Sequence, residues 1–181
     1  MAIDPKALLS ILICRTDLTD SDKAILKANA EWGAHLAPDM ASCFYAYLDR
    51  DEEMAAVIQK HNRERLVSTF TDWFSEMFTG MDDWGEAYAQ RRWKIGLVHV
   101  RIGIGPQHVV PAMATVVQEV GKRILTEGKP EALRESLGKI CMIDLSFIEQ
   151  AYIEVAYSAV QQETGMSEAL FKRLIATGVS N

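Results

Sequence analysis

Between residues 91 and 104 the chain reads Arg91-Arg92-Trp93-Lys94-Ile95-Gly96-Leu97-Val98-His99-Val100-Arg101-Ile102-Gly103-Ile104. Apolar residues here follow the three- and four-residue spacing of a helix, and Gly103-Ile-Gly-Pro106 ends it. A glycine inside a helix costs about 1 kcal/mol against alanine, so Gly96 needs a reason. A flat ligand pressed on the helix beside a coordinating imidazole is one. Close contact with another helix is the other. Gly96 and Ile95 lie three and four residues before His99. That setting separates His99 from His35, His61 and His108, since a lone helical histidine is more often an ordinary core or surface residue.

Outward from this stretch the same spacing recurs almost everywhere. A short helix is expected over Pro5 to Cys14. Asp20 or Ser21 caps the next, which carries Ile25, Ala28 and Trp32 on one face. Pro38 opens a helix through Met40, Phe44, Tyr47 and Leu48, and Asp51 starts a shorter one with Met54, Val57 and Ile58. Asn62 opens a helix bearing Leu66, Phe70, Trp73, Phe74, Met77 and Phe78, which Gly80 stops. Asp82 or Asp83 caps the helix that contains His99. Gln107 to Leu125 and Glu131 to about Gln162 are long helices separated by Gly128-Lys-Pro130, and a last short one covers Glu168 to Ala176.

With no alternating strand pattern, five prolines and eleven glycines in 181 residues, the chain reads as one all-α domain. At 49% hydrophobic it can bury a core without metal or disulfide staples. The formal charge of −6 argues against a general nucleic-acid binder, which needs a basic patch. The apolar run Leu8 to Ile13 is too short to span a bilayer and lacks the charge order of a signal peptide. Cys14, Cys43 and Cys141 are far apart and form no CxxC or CxxCH, excluding a zinc site and covalent c-type haem. They read as three buried free thiols in a reducing, cytoplasmic compartment.

The two long helices are apolar on two sides. Val109, Met113, Val116 and Val120 form one stripe of the first, and Val110, Ala114, Val117 and Ile124 the second. Leu133, Leu137, Ile140, Phe147 and Val155 form one stripe of the other, with Cys141, Leu145, Ile148, Tyr152 and Ala159 beside it. Such helices are shared between a core and a partner, here a homodimer, or they lie in one thick core.

The stretch around Ile95-Gly96, His99 and Gly103 resembles the proximal-helix signature of the globin-coupled sensors. Phe44-Tyr45 with Leu48, Tyr45 standing 54 residues before His99, resembles their distal helix. The likeness runs from about Ser21 to Gln162 and implies a globin-like helical sandwich with an extra N-terminal helix and a long C-terminal one. It implies haem b, iron protoporphyrin IX, whose iron is held by the neutral imidazole of His99 with the sixth position open. Tyr45 is then the distal donor to bound O2 or another diatomic gas, its alternative role being a core tyrosine bonded to a backbone carbonyl. Tyr47 faces another side of that helix. Phe44, Phe74 and Val98 join Val57, Leu66, Phe70, Trp73, Met113 and Val117 as candidate wall residues, and Ser68 or Thr69 as a second polar contact. His61 is expected in solvent. Arg91, Arg92 and Lys94 are read as a solvated charged face rather than as partners of the haem propionates.

Three functions follow. In the first, residues 1–181 form a non-catalytic globin sensor domain, with an N-terminal extension over 1–18 and a segment over 163–181 leading toward an effector absent from this chain. Gas binding shifts the helices of a dimer interface and controls a fused output. Family outputs are methyl-accepting, diguanylate cyclase or histidine kinase domains, and the motifs look most like those joined to the kinases of two-component signalling. In the second, the chain is a stand-alone protoglobin-like gas-binding protein. In the third it is a cofactor-free helical dimerisation module. None requires nucleic acid or a membrane.

Overall fold

A computed structural model of the chain describes residues 3–178, apart from the side chain of Asp82. Residues 1–2 and 179–181, the outer ends of the expected terminal segments, lie outside the described residues, as does the side chain of Asp82 as an expected cap. Among the described residues there are helices only: α1 (Pro5–Thr16), α2 (Asp20–Ala28), α3 (Ala30–Leu48), α4 (Glu52–Ile58), α5 (Arg63–Asp83), α6 (Glu86–Arg101), α7 (Pro106–Thr126), α8 (Glu131–Thr164) and α9 (Glu168–Gly178).

Short polar side chains start many of them. Asp4 accepts from the Lys6 N–H, Asp51 from Met54 and Asn62 from Arg65, each satisfying an N–H that the first turn leaves free. For α2 the cap is Thr19, not Asp20 or Ser21, because Asp22 lies three residues on and completes a capping box. α6 begins after Gly85 rather than on a cap from Asp83, whose carboxylate pairs with Lys27 instead. Pro38 does not open a helix. It sits inside α3, which starts eight residues earlier at Ala30 and packs on α5 and α7.

Asp22 does more than cap. Burial disfavours its carboxylate, but Lys139 at 2.9 Å and hydrogen bonds from Thr19 and Ser136 outweigh that and hold its pKa well below the ordinary range. A depressed carboxylate contributes stability above its unfolded pKa and loses it as pH falls toward the folded value. Asp22→Ala is therefore expected to cost about 1–2 kcal/mol at neutral pH. The deficit relative to wild type should shrink as pH falls below about 4, as urea unfolding at several pH values will read.

α8 runs through the middle of the fold and packs on α6, α7, α2 and α1. Its inner residues Leu133, Leu137, Ile140, Ile143 and Phe147 are essentially inaccessible. α6 crosses α8 at Gly96, where an added Cβ would lie 2.9 Å from the Ala151 Cβ and 2.9 Å from the Phe147 carbonyl oxygen. Close helix contact is thus the reason for this glycine. The first stripe of α7 is buried, whereas Val110 and Ala114 of the second face solvent. The cysteines are not all buried: Cys141 is, Cys43 is half-buried and Cys14 is exposed, and all three are free thiols.

Candidate functional site

Between α3, α5, α6 and α7 lies a cavity of about 1090 Å³ of atom-free space, its open mouth included. Phe44, Tyr45 and Leu48 of α3 line it, with Met54, Val57 and Ile58 of α4. α5 contributes Leu66, Thr69, Phe70 and Trp73, and α6 contributes Ile95, Val98 and His99. Val109, Ala112, Met113 and Val116 of α7 and Ile148 of α8 complete the apolar wall. Phe44, Phe70 and Trp73 form an aromatic run, with ring centres 4.7 and 5.3 Å apart.

His99 stands in this wall near the C-terminal end of α6. Its Nδ1 lies 2.9 Å from the Ile95 carbonyl oxygen one turn back. A carbonyl only accepts, so Nδ1 carries the proton and Nε2 holds the lone pair. Burial lowers the pKa of His99 below the usual 6.5, and the bond to Ile95 opposes this only in part. The ring is therefore neutral at physiological pH, in the tautomer that leaves Nε2 able to ligate a metal. A ligating histidine almost always donates its other N–H to a carbonyl, carboxylate or water, and His99 has that partner in place.

Tyr45 also borders the cavity, but its hydroxyl donates to the Leu66 carbonyl at 2.9 Å. Arg63 lies over the tyrosine ring at 4.5 Å and is held by Asp49 through contacts of 2.9 and 3.2 Å. Burial raises the phenol's pKa, partly offset by Arg63, to about 12, so it stays a donor.

Other expected residues divide. Phe44, Val57, Leu66, Phe70, Trp73, Val98 and Met113 do line the cavity. Phe74 does not: it is fully buried behind Phe70, with ring centres 6.1 Å apart. Val117 does not reach it either. Ser68 is exposed and points elsewhere, while Thr69, about 100° further round α5, borders the cavity and donates to the Arg65 carbonyl. His61 is exposed at the cavity edge.

Arg92 is the largest departure from expectation. It is 1% exposed, not solvated, and pairs with Asp144 at 2.9 Å and with Glu76. Arg91 is half-buried against Glu76 at 3.2 Å, and only Lys94 is exposed as expected. None of the three touches the cavity. A signal for the pair did exist: Asp144 is a lone carboxylate among Ile140, Cys141, Ile143, Phe147 and Ile148, and a buried charge requires a partner.

His108 was passed over, yet it lines the cavity and lies 3.5 Å from Glu53. With Asp51 these two bring ligand atoms within 4.8 Å of one another, but both acids are exposed, as acidic groups often are without an ion.

A domain of packed helices around an apolar cavity, with a neutral histidine oriented by its own helix in the wall, has the plan of a globin domain. The protoglobin family model matches residues 8–157. A solved structure, the globin domain of the Geobacter sulfurreducens globin-coupled sensor, is 27% identical. The match covers 79% of this chain and 96% of that one, with a TM-score of 0.71. No curated relative matches. The chain belongs to the protoglobin family, whose members are haem-containing, gas-binding globins, and has the globin-coupled sensor fold. No described helix is long and apolar enough to cross a membrane.

Proposed function

We propose that this chain is the input domain of a cytoplasmic haem-based gas sensor, with O2 as its signal and haem b as its cofactor. The observation that carries this reading is the His99 imidazole, neutral and oriented by Ile95, in the wall of an apolar cavity. Haem, when bound, supplies an iron with one position left for a diatomic gas. His99 holds that iron through Nε2. Phe44, Val98 and the other apolar wall residues bury the porphyrin and exclude water. The test is the absorption spectrum of the reduced, haem-loaded protein with and without O2. A reversible change on oxygenation supports the reading, and an unchanged spectrum counts against it.

Tyr45 is the distal donor in this account. A phenol has one proton, so donating into the cavity means giving up the Leu66 carbonyl, a bond worth about 0.5–1.5 kcal/mol net. Tyr45→Phe is expected to speed O2 dissociation about tenfold and CO dissociation less, since O2 is the more polar ligand. Equal acceleration of both in flash photolysis would remove Tyr45 from the role.

The sensor further acts as a homodimer through α7 and α8. Support comes from large apolar side chains left facing solvent there: Val110 (44% exposed), Met142 (41%) and Ile153 (61%). Ile153→Lys should shift the sedimenting species toward monomer, and an unchanged dimer would move the interface elsewhere. Movement of His99 reaches α8 through the Gly96 crossing, and the repacked dimer regulates a fused output, a histidine kinase on the motif resemblance. The protoglobin match favours equally a stand-alone gas-binding protein with the same His99. The two readings part on whether gas changes the activity of an output domain.

A further inference from the structure

We propose that Asp144 is a positioning residue for the cavity, one buried carboxylate that locks the Trp73 wall of α5 to the helix that bears His99. In treating the cavity as a haem pocket this rests on the proposed function. Asp144 is 2% exposed and takes two hydrogen bonds and one ion pair from two other helices. Its Oδ1 accepts from the Tyr88 hydroxyl at 2.7 Å, and its Oδ2 from the Trp73 indole Nε1 at 2.8 Å. Arg92 Nε lies 2.9 Å from the same Oδ2, without a donor's alignment, so this contact is ionic.

Of this network only Trp73 also lines the cavity. Arg92 stands on α6, seven residues and so two turns before His99, and is covered by the Tyr88 ring at 4.1 Å. It also reaches the Trp73 carbonyl at 3.4 Å and Glu76 of α5. A single carboxylate on α8 thereby sets where the tryptophan wall stands relative to the His99 helix.

Packing alone would not need this. Buried ion pairs can often be replaced by apolar residues at no loss of stability, so cohesion is a weak reason for one. A directional hydrogen bond does what apolar packing cannot: it fixes the rotation of the indole and spends its N–H on Asp144. The cavity wall at Trp73 is left without a free donor. With Asp144 unable to accept, that N–H is released beside the cavity, and the wall changes from apolar to polar at one point.

The test compares Trp73→Phe, Asp144→Leu, the double variant and Leu9→Ala, a buried α1 residue outside the cavity. In the haem-free protein the indole resonance that disappears in Trp73→Phe should be protected from hydrogen exchange, and Asp144→Leu, which has no acceptor, should remove that protection. An unprotected Trp73 N–H in wild type overturns the proposal whether or not the protein binds haem. In the haem-loaded protein, each single variant should change the CO dissociation rate by about threefold or more, and the double no further than either single. Additive effects, or the same change from Leu9→Ala at equal loss of Tm, show a merely structural role and overturn it. Should Asp144→Leu fail to fold, Trp73→Phe decides alone, an unchanged rate overturning the proposal. A protein that takes up no haem refutes the proposed function but leaves the exchange measurement standing.

Discussion

His99→Ala is expected to abolish stable haem retention, weakening affinity by at least about 100-fold. Loss of an outer-shell partner alone typically costs 10–100-fold in metal affinity, and here the ligand itself would go. No other histidine replaces it. His61 and His108 stand at the cavity edge, but His108 is paired with Glu53 and His61 is exposed. The fold should tolerate the change, because the hydrogen bond of the ring to a described residue is to a carbonyl within its own helix. Equal unfolding midpoints for the haem-free wild type and variant, with haem retained only by wild type, is the expected pair of results. Unchanged occupancy would refute the ligand assignment. Free imidazole added to the variant should restore part of the spectrum, since the cavity keeps its apolar walls.

The second large effect is on stability. Arg92→Met should destabilise the fold by about 3–5 kcal/mol, the usual cost of removing one partner of a buried pair. The methionine fills much of the volume, so packing is not the main loss. Asp144 keeps its bonds from Tyr88 and Trp73, but its charge loses the guanidinium, and Glu76 loses one of its two arginines. For a domain of this size that corresponds to about 6–20 °C in Tm. Replacing Arg92 and Asp144 together, by Met and Leu, should recover a good part of the loss. Thermal unfolding of the three variants reads both statements. A double variant as unstable as the worse single would mean that shape, not charge, is what the site requires.

The helical class was legible because apolar spacing of three and four carries through every segment. Caps were legible at Asp51 and Asn62, short acceptors that each cap the N–H three residues on. They were not legible where several polar residues compete, as Thr19, Asp20 and Ser21 do; the winner was decided by Asp22 three residues on. Pro38 was misplaced because a proline signals a first turn by default, and only packing holds α3 continuous through it. At the site, Tyr45 and His99 were found from local motifs, and both border the cavity. Ser68 and Phe74 were misassigned for one reason. Neighbours on a helix differ by about 100°, and the sequence fixes which stripe is apolar more readily than which part of it meets a cavity rather than another helix. Arg92 was missed because its partner lies 52 residues away on α8, a distance no local reading spans.

The central claim is that one histidine in an apolar cavity holds one haem. Titration of the purified chain with haem, followed by absorption, tests it most directly. The expected result is a Soret band that saturates at one haem per chain and is absent in His99→Ala. A wild-type protein that develops no Soret band, or one in which His99→Ala develops the same band, would contradict it.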